Sequence, residues 1–135
     1  MTAILIDGNV LLDVMTEDAR WFAWSAASIE RAADRFRLVV NPVVYAQVSI
    51  RYSQIEDLDI ALPKSMFDRE PIPYEAAFLA GKFCVAYRQR GGSKHSPHPD
   101  FFIGAHAAVA GYQLMTRDAA RYRTYFSKLA LIAPD

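Results

Sequence analysis

Four short apolar runs, separated by stretches of helical periodicity, set the tightest limit on what this chain can form. They are Ala3–Ile6 (AILI), residues 38–40 (LVV), Gln113–Met115 (QLM) and residues 129–132 (LALI). They lack the apolar–polar alternation of a strand with one wet face, which points to strands buried on both sides. Between the first two runs, Val10, Leu11 and Val14 mark one helical turn. A longer helix then begins at Asp18, with Phe22, Ser25, Ala26, Ile29 and Ala33 recurring at its spacing. Buried strands joined by helical crossovers make a parallel sheet covered on both faces. The expected fold class is therefore α/β, a central parallel sheet flanked by helices in an α/β/α sandwich. With 135 residues, it forms one domain, residues 1–135.

Local punctuation supplies the remaining order. Asn41 and Pro42 open a helix as N-cap and first-turn proline, and that helix runs towards Arg51. Another covers residues 54–62. Pro63, Pro71 and Pro73 break the next stretch and leave a short extended segment at residues 70–72. Tyr74–Gln89 is helical and stops at Gly91 and Gly92, and residues 91–99 (GGSKHSPHP) form a loop. Asp100 heads a helix that Gly111 ends, and Asp118 starts a short one.

Lys and Arg total 15 against 15 Asp and Glu, which excludes a protein that holds nucleic acid mainly by bulk positive charge. The single cysteine, Cys84, lies among Phe78, Leu79, Phe83 and Tyr87 at helical spacing and reads as core packing. No apolar run reaches the length of a membrane span and no basic leader opens the chain, so a cytoplasmic protein with no membrane partner is expected.

The acids carry the chemistry. Ligands of open parallel sheets sit beyond the carboxyl ends of the strands. Asp7 follows the first strand, Asp118 follows Gln113–Met115, and Asp100 heads the helix feeding that strand. Carboxylates that converge repel one another unless protonated or bridged by a cation, and oxygen-rich clusters suit Mg²⁺ or Mn²⁺. Each acid also has a plainer reading: Asp7 and Asp118 as N-caps, Asp100 as a first-turn charge favoured by the helix dipole. Gln47 lies on or beside the apolar side of its helix, where a polar group needs a partner.

Four segments, LIDGNVLLD, NPVVYAQVS, PDFFIGAHAAVAG and LMTRDAARYRTYF, occur in an order and spacing that resemble the PIN-domain family, and within it the VapC toxins of toxin–antitoxin pairs. The resemblance covers nearly the whole chain. It implies a compact nuclease fold in which Asp7, Asp100 and Asp118 hold one or two Mg²⁺ or Mn²⁺ ions, with position 47 as a further acidic group. Asn9 and Thr116 would orient water and carboxylates. The implied activity is endonucleolytic hydrolysis of RNA, with a VapB-type antitoxin and a second copy of the chain as partners.

Two positions depart from that pattern. Gly8 stands where Ser or Thr is common, and Gln47 stands where Glu is usual. A unit charge about 4 Å from a cation is worth up to about 4 kcal/mol at an effective dielectric near 20, so Gln47 implies weakened metal affinity and rate. An isosteric Glu-to-Gln change is also what deliberate disarming of a nuclease would leave. The alternative function is a catalytically silent module that binds RNA or a protein. A phospho-accepting domain fits poorly, because Asn9 stands where it would need a second acid.

Among the remaining polar residues, Lys94 and Arg117 sit in connectors leading to acids and are the candidate RNA contacts. Arg88, Arg90, Arg121 and Arg123 read as solvated charges, as do His95 and His98. His106 lies six residues, or about 240°, round the helix from Asp100 and is rejected as a ligand. Gly104 reads as close helix–sheet packing. Trp21, Phe22 and Trp24 give more aromatic surface than one buried stripe needs, as at a dimer face or antitoxin groove.

Overall fold

A computed structural model describes residues 3–92 and 98–134. Five strands form one fully parallel sheet in the order β3-β2-β1-β4-β5: β1 (Ala3–Ile6), β2 (Arg37–Val40), β3 (Phe67–Arg69), β4 (Gln113–Met115) and β5 (Leu131–Ile132). The helices are α1 (Gly8–Met15), α2 (Phe22–Ala33), α3 (Pro42–Ser49), α4 (Ile55–Ala61), α5 (Tyr74–Gln89), α6 (Pro99–Ala110) and α7 (Ala120–Tyr125). The α/β class and the α/β/α sandwich expected from the strand pattern are what the chain forms.

β1 is central and buried along its whole length. It pairs with β2 on one side, Leu5 against Val39, and with β4 on the other, Ile6 against Met115. The chain therefore winds away from β1 in both directions, and the gap between β1 and β4 is the point where the strand order reverses. That register brings Asp7 and Thr116 level at the carboxyl edge, where the Asp7 N–H donates to the Met115 carbonyl at 2.9 Å. The two sides of the sheet are closed by α1 packed on α2 and α3, and by α5 packed on α6. Cys84 is buried in α5, as its helical spacing implied.

Three boundaries differ from the sequence reading. The third strand forms at Phe67–Arg69 rather than at residues 70–72, because Pro71 and Pro73 have no N–H to give to a ladder. Its last residue pairs with Val40, and only the Glu70 N–H continues the ladder, to the Val40 carbonyl at 3.0 Å. Asp18 ends a turn rather than starting α2: its carboxylate accepts the Arg20 and Trp21 N–H groups at 3.1 and 2.7 Å, and the helix begins at Phe22. Asp118 does not cap α7, whose N-cap is Ala119.

Gly104 is small because of Phe126 rather than the sheet. A Cβ there would lie 2.5 Å from the Phe126 ring, which is itself buried. Gly81, inside α5, faces open space. Gly104→Ala is expected to cost about 1–2 kcal/mol from overpacking, whereas Gly81→Ala should gain about 0.5–1 kcal/mol from helix propensity. Urea unfolding of the two variants checks both signs.

Candidate active site

The site is built where β1, β4 and the head of α6 meet. Asp7 occupies the N-cap position of α1 with extended backbone, yet its carboxylate makes no capping hydrogen bond. Its Oδ2 instead accepts two hydroxyls, from Thr116 at 2.9 Å and from Tyr122 at 2.9 Å. The plain N-cap reading of Asp7 is thereby removed. Tyr122 comes from α7, is fully buried, and faces Asp100 as well as Asp7. Burial, followed by the charges of these two acids, holds its phenol well above the usual tyrosine range. It stays protonated and acts as a donor.

Thr116 is the second anchor. Besides donating to Asp7, its Oγ1 accepts from the Asn9 amide at 3.3 Å and from the Asp118 N–H at 3.2 Å. Asn9 Oδ1 in turn accepts the Arg117 N–H at 3.1 Å. The first turn of α1 is thus tied to the end of β4 through the two side chains, Asn9 and Thr116, that the sequence nominated.

Asp7 is only 2 % exposed, and its pKa is pushed up from 3.8 to about 6, first by burial and second by the charge of Asp100, with the Thr116 and Tyr122 hydrogen bonds opposing. Asp100 is partly buried in the first turn of α6, where Arg121 Nη1 lies 2.9 Å from its Oδ2. His98 is the N-cap of α6, and its Nδ1 accepts the Asp100 N–H at 3.1 Å. His98 and Arg121 are therefore parts of this cluster, not solvated bystanders. Gln47 reaches in from α3, and its Oε1 accepts the Gly8 N–H at 3.2 Å.

Asp7 and Asp100 are the two acids brought together. Asp118 is exposed at the rim, and among the described residues no three His, Cys, Asp or Glu side chains lie close enough to enclose an ion. Two neighbouring hard carboxylates, one with its charge disfavoured by burial, still suit Mg²⁺ or Mn²⁺. Mg²⁺ commonly binds proteins through one or two carboxylates while keeping several waters.

The candidate RNA contacts fare differently from the acids. Arg117 forks onto Asp13, with Nε–Oδ2 at 2.8 Å and Nη2–Oδ1 at 3.1 Å. Asp13 is buried and also accepts the Ser25 hydroxyl at 2.8 Å. Arg117 thus braces α1 and α2 against the site. Its guanidinium also lies over Trp21, 5.7 Å from the ring centre, while Arg20 lies 4.9 Å from it, so Trp21 is not spare aromatic surface. Lys94 and His95 lie outside the described residues. His106 is buried beside Asn41, at 3.0 Å, and takes no part in the cluster.

The model of the PIN domain family matches residues 4–127. The chain belongs to the PIN domain family. Solved structures share this PIN fold along their whole length. VapBC2 from Rickettsia felis, bound to a DNA fragment from its promoter, gives a TM-score of 0.75 at 15% identity, covering 99% of this chain and 100% of that one. VapBC-1 from nontypeable Haemophilus influenzae gives 0.71 at 16% identity, with 98% of each chain covered. A toxin–antitoxin complex from Klebsiella pneumoniae gives 0.63 at 22% identity, also with 98% of each covered. No curated protein matches significantly.

Tyr122, Arg121 and His98 are the site residues whose role sequence reasoning missed. A tyrosine at a buried helical position reads as packing, and nothing local shows that its hydroxyl ends on a carboxylate from the other end of the chain. The pH dependence of stability exposes Asp7 directly. Its carboxyl is neutral in both folded and unfolded chain below 3.8, and ionised in both above about 6. Its contribution to stability is therefore lost as pH rises between those values, by about 3 kcal/mol at about 1.4 kcal/mol per pKa unit. Asp7→Asn keeps the acceptor for Thr116 and Tyr122 without the charge. In chelator it should unfold at higher urea than wild type at pH 7.5, with the difference closing towards pH 4.

Proposed function

We propose that this PIN domain is a divalent-cation-dependent endoribonuclease of the VapC toxin kind, held in check by a VapB-type antitoxin. The observation that carries this reading is the Asp7–Asp100 pair at the carboxyl edge of the sheet, with Tyr122 facing both acids. The structural relatives from Rickettsia felis and Haemophilus influenzae are VapBC assemblies, which supports the antitoxin as partner.

Asp7 and Asp100 would hold Mg²⁺ or Mn²⁺, with Asp118 at the rim as the third carboxylate. When bound, the ion offsets the charge of the carboxylates and the negative charge that develops on the phosphoryl group as water displaces the leaving oxygen. The protein's own part is positioning. Thr116 and Tyr122 fix the Asp7 carboxylate by one of its oxygens. Asn9 holds Thr116 in place, and the Asp13–Arg117 fork keeps α1 seated against β4. Exposed Ile50, Ile55 and Ile60, on and beside α3 and α4, offer apolar surface for an antitoxin segment, and a second copy of the chain is the other expected partner.

A catalytically silent module that binds RNA or a protein is the second reading. It is favoured by the neutral Gln47 and by the exposed position of Asp118. Cleavage of single-stranded and structured RNA separates the two. The nuclease reading expects cutting with Mn²⁺ that chelator abolishes and a loss of at least about 100-fold in Asp100→Asn. Cleavage that survives both chelator and Asp100→Asn would exclude it.

A further inference from the structure

The two positions at which this chain departs from the family pattern, Gly8 and Gln47, are in contact. A Cβ on Gly8 would lie 2.2 Å from Gln47 Oε1, 3.0 Å from its Cδ and 2.8 Å from its Cβ. The long end of Gln47 can move aside, but its Cβ is fixed to the backbone of α3. Position 8 is therefore held to glycine by the closeness of α1 and α3, and the space a side chain would fill is occupied by the Gln47 amide.

That contact fixes which way the amide faces. The Gly8 N–H can only donate, so the atom 3.2 Å from it must be the carbonyl oxygen of Gln47. The Nε2 group is then turned away from the α1 backbone. Gln47 is half-buried, and among the described residues its Nε2 donors take no protein partner. The result is an NH₂ group beside the residue that follows Asp7, oriented by the Gly8 contact and with neither donor taken by protein among the described residues. Such donors suit an anion, and phosphate oxygens are common acceptors for Gln side chains in nucleic-acid complexes.

We propose that Gln47 grips a non-bridging oxygen of the RNA phosphodiester through Nε2, and that Gly8 is the positioning residue that aims it. The proposal rests on the nuclease reading and changes the meaning of Gln47 within it. Gln47 is then a built substrate contact and not simply a missing carboxylate. Glu at this position keeps the acceptor for the Gly8 N–H and the shape of the contact, but has no donor to offer a phosphate.

The test uses the side-chain amide signals of the folded protein. In a ¹H–¹⁵N spectrum, the NH₂ pair absent from Gln47→Glu belongs to Gln47. With Mg²⁺ present, adding a 2′-O-methyl single-stranded RNA should move that pair downfield, and Gln47→Ala should bind the same RNA about tenfold more weakly. A purely structural Gln47 would leave its NH₂ pair in place while backbone signals around the cleft shift. That outcome overturns the proposal and leaves the nuclease reading standing. RNA that moves no signal in either wild type or Gln47→Ala overturns both. Gly8→Ala, if it folds, should also lose the Gln47 shift.

Discussion

A buried carboxylate with two hydroxyl donors on one oxygen organises this structure. Asp7 sits at the end of the central strand, where apolar packing excludes the water that would otherwise solvate its charge. Thr116 and Tyr122 both bond to Oδ2, from a strand end and a helix more than a hundred residues along the chain. Closing that contact requires β4 in register with β1 and α7 folded back over the sheet. The nearby Asp100 then makes the ionised state of Asp7 dearer still. The fold thus maintains, at the point where its strand order reverses, an electrostatic tension that a divalent cation would relieve.

Supporting contacts keep that point stiff. The Arg117 fork onto buried Asp13, with Ser25 on the same oxygen, fixes α1 and α2 against the end of β4. Removing Arg117 would leave the buried Asp13 charge uncompensated, a change that typically costs about 3–5 kcal/mol. The Gly8–Gln47 contact fixes α1 against α3 in the same way on the other side. Arg121 on Asp100 is different in kind. It meets a less buried acid through a single nitrogen, whereas Arg117 forks onto Asp13.

Much of this was legible in the sequence because it depends on short-range patterns. The unbroken apolar runs gave four of the five strands, and Asn41-Pro42 and Gly111 marked helix ends that the structure keeps, with Asn41 capping Val44 N–H and Gly111 left-handed. Asp7 and Asp100 were singled out by their places at strand and helix ends, and Asn9 and Thr116 only through the family resemblance. What escaped were side chains whose role is set by distant partners. Tyr122 was not singled out, Arg117 looked like an RNA contact and His98 like a solvated loop residue. No periodicity encodes the contact of Arg117 with Asp13, 104 positions away. The β3 boundary was misplaced because two prolines mark where a strand must stop, not where it starts.

The central claim is that Asp7 and Asp100 form the core of the cation-holding site, with Asp118 contributing less from the exposed rim. Calorimetric titration of Mn²⁺ into wild type and into the Asp7→Asn, Asp100→Asn and Asp118→Asn variants tests it most directly. Saturable uptake by wild type is expected, weakened about 100-fold or more by each of the first two changes and only a few-fold by the third. No uptake by wild type, or an Asp118→Asn loss as large as that of Asp7→Asn, would contradict the account.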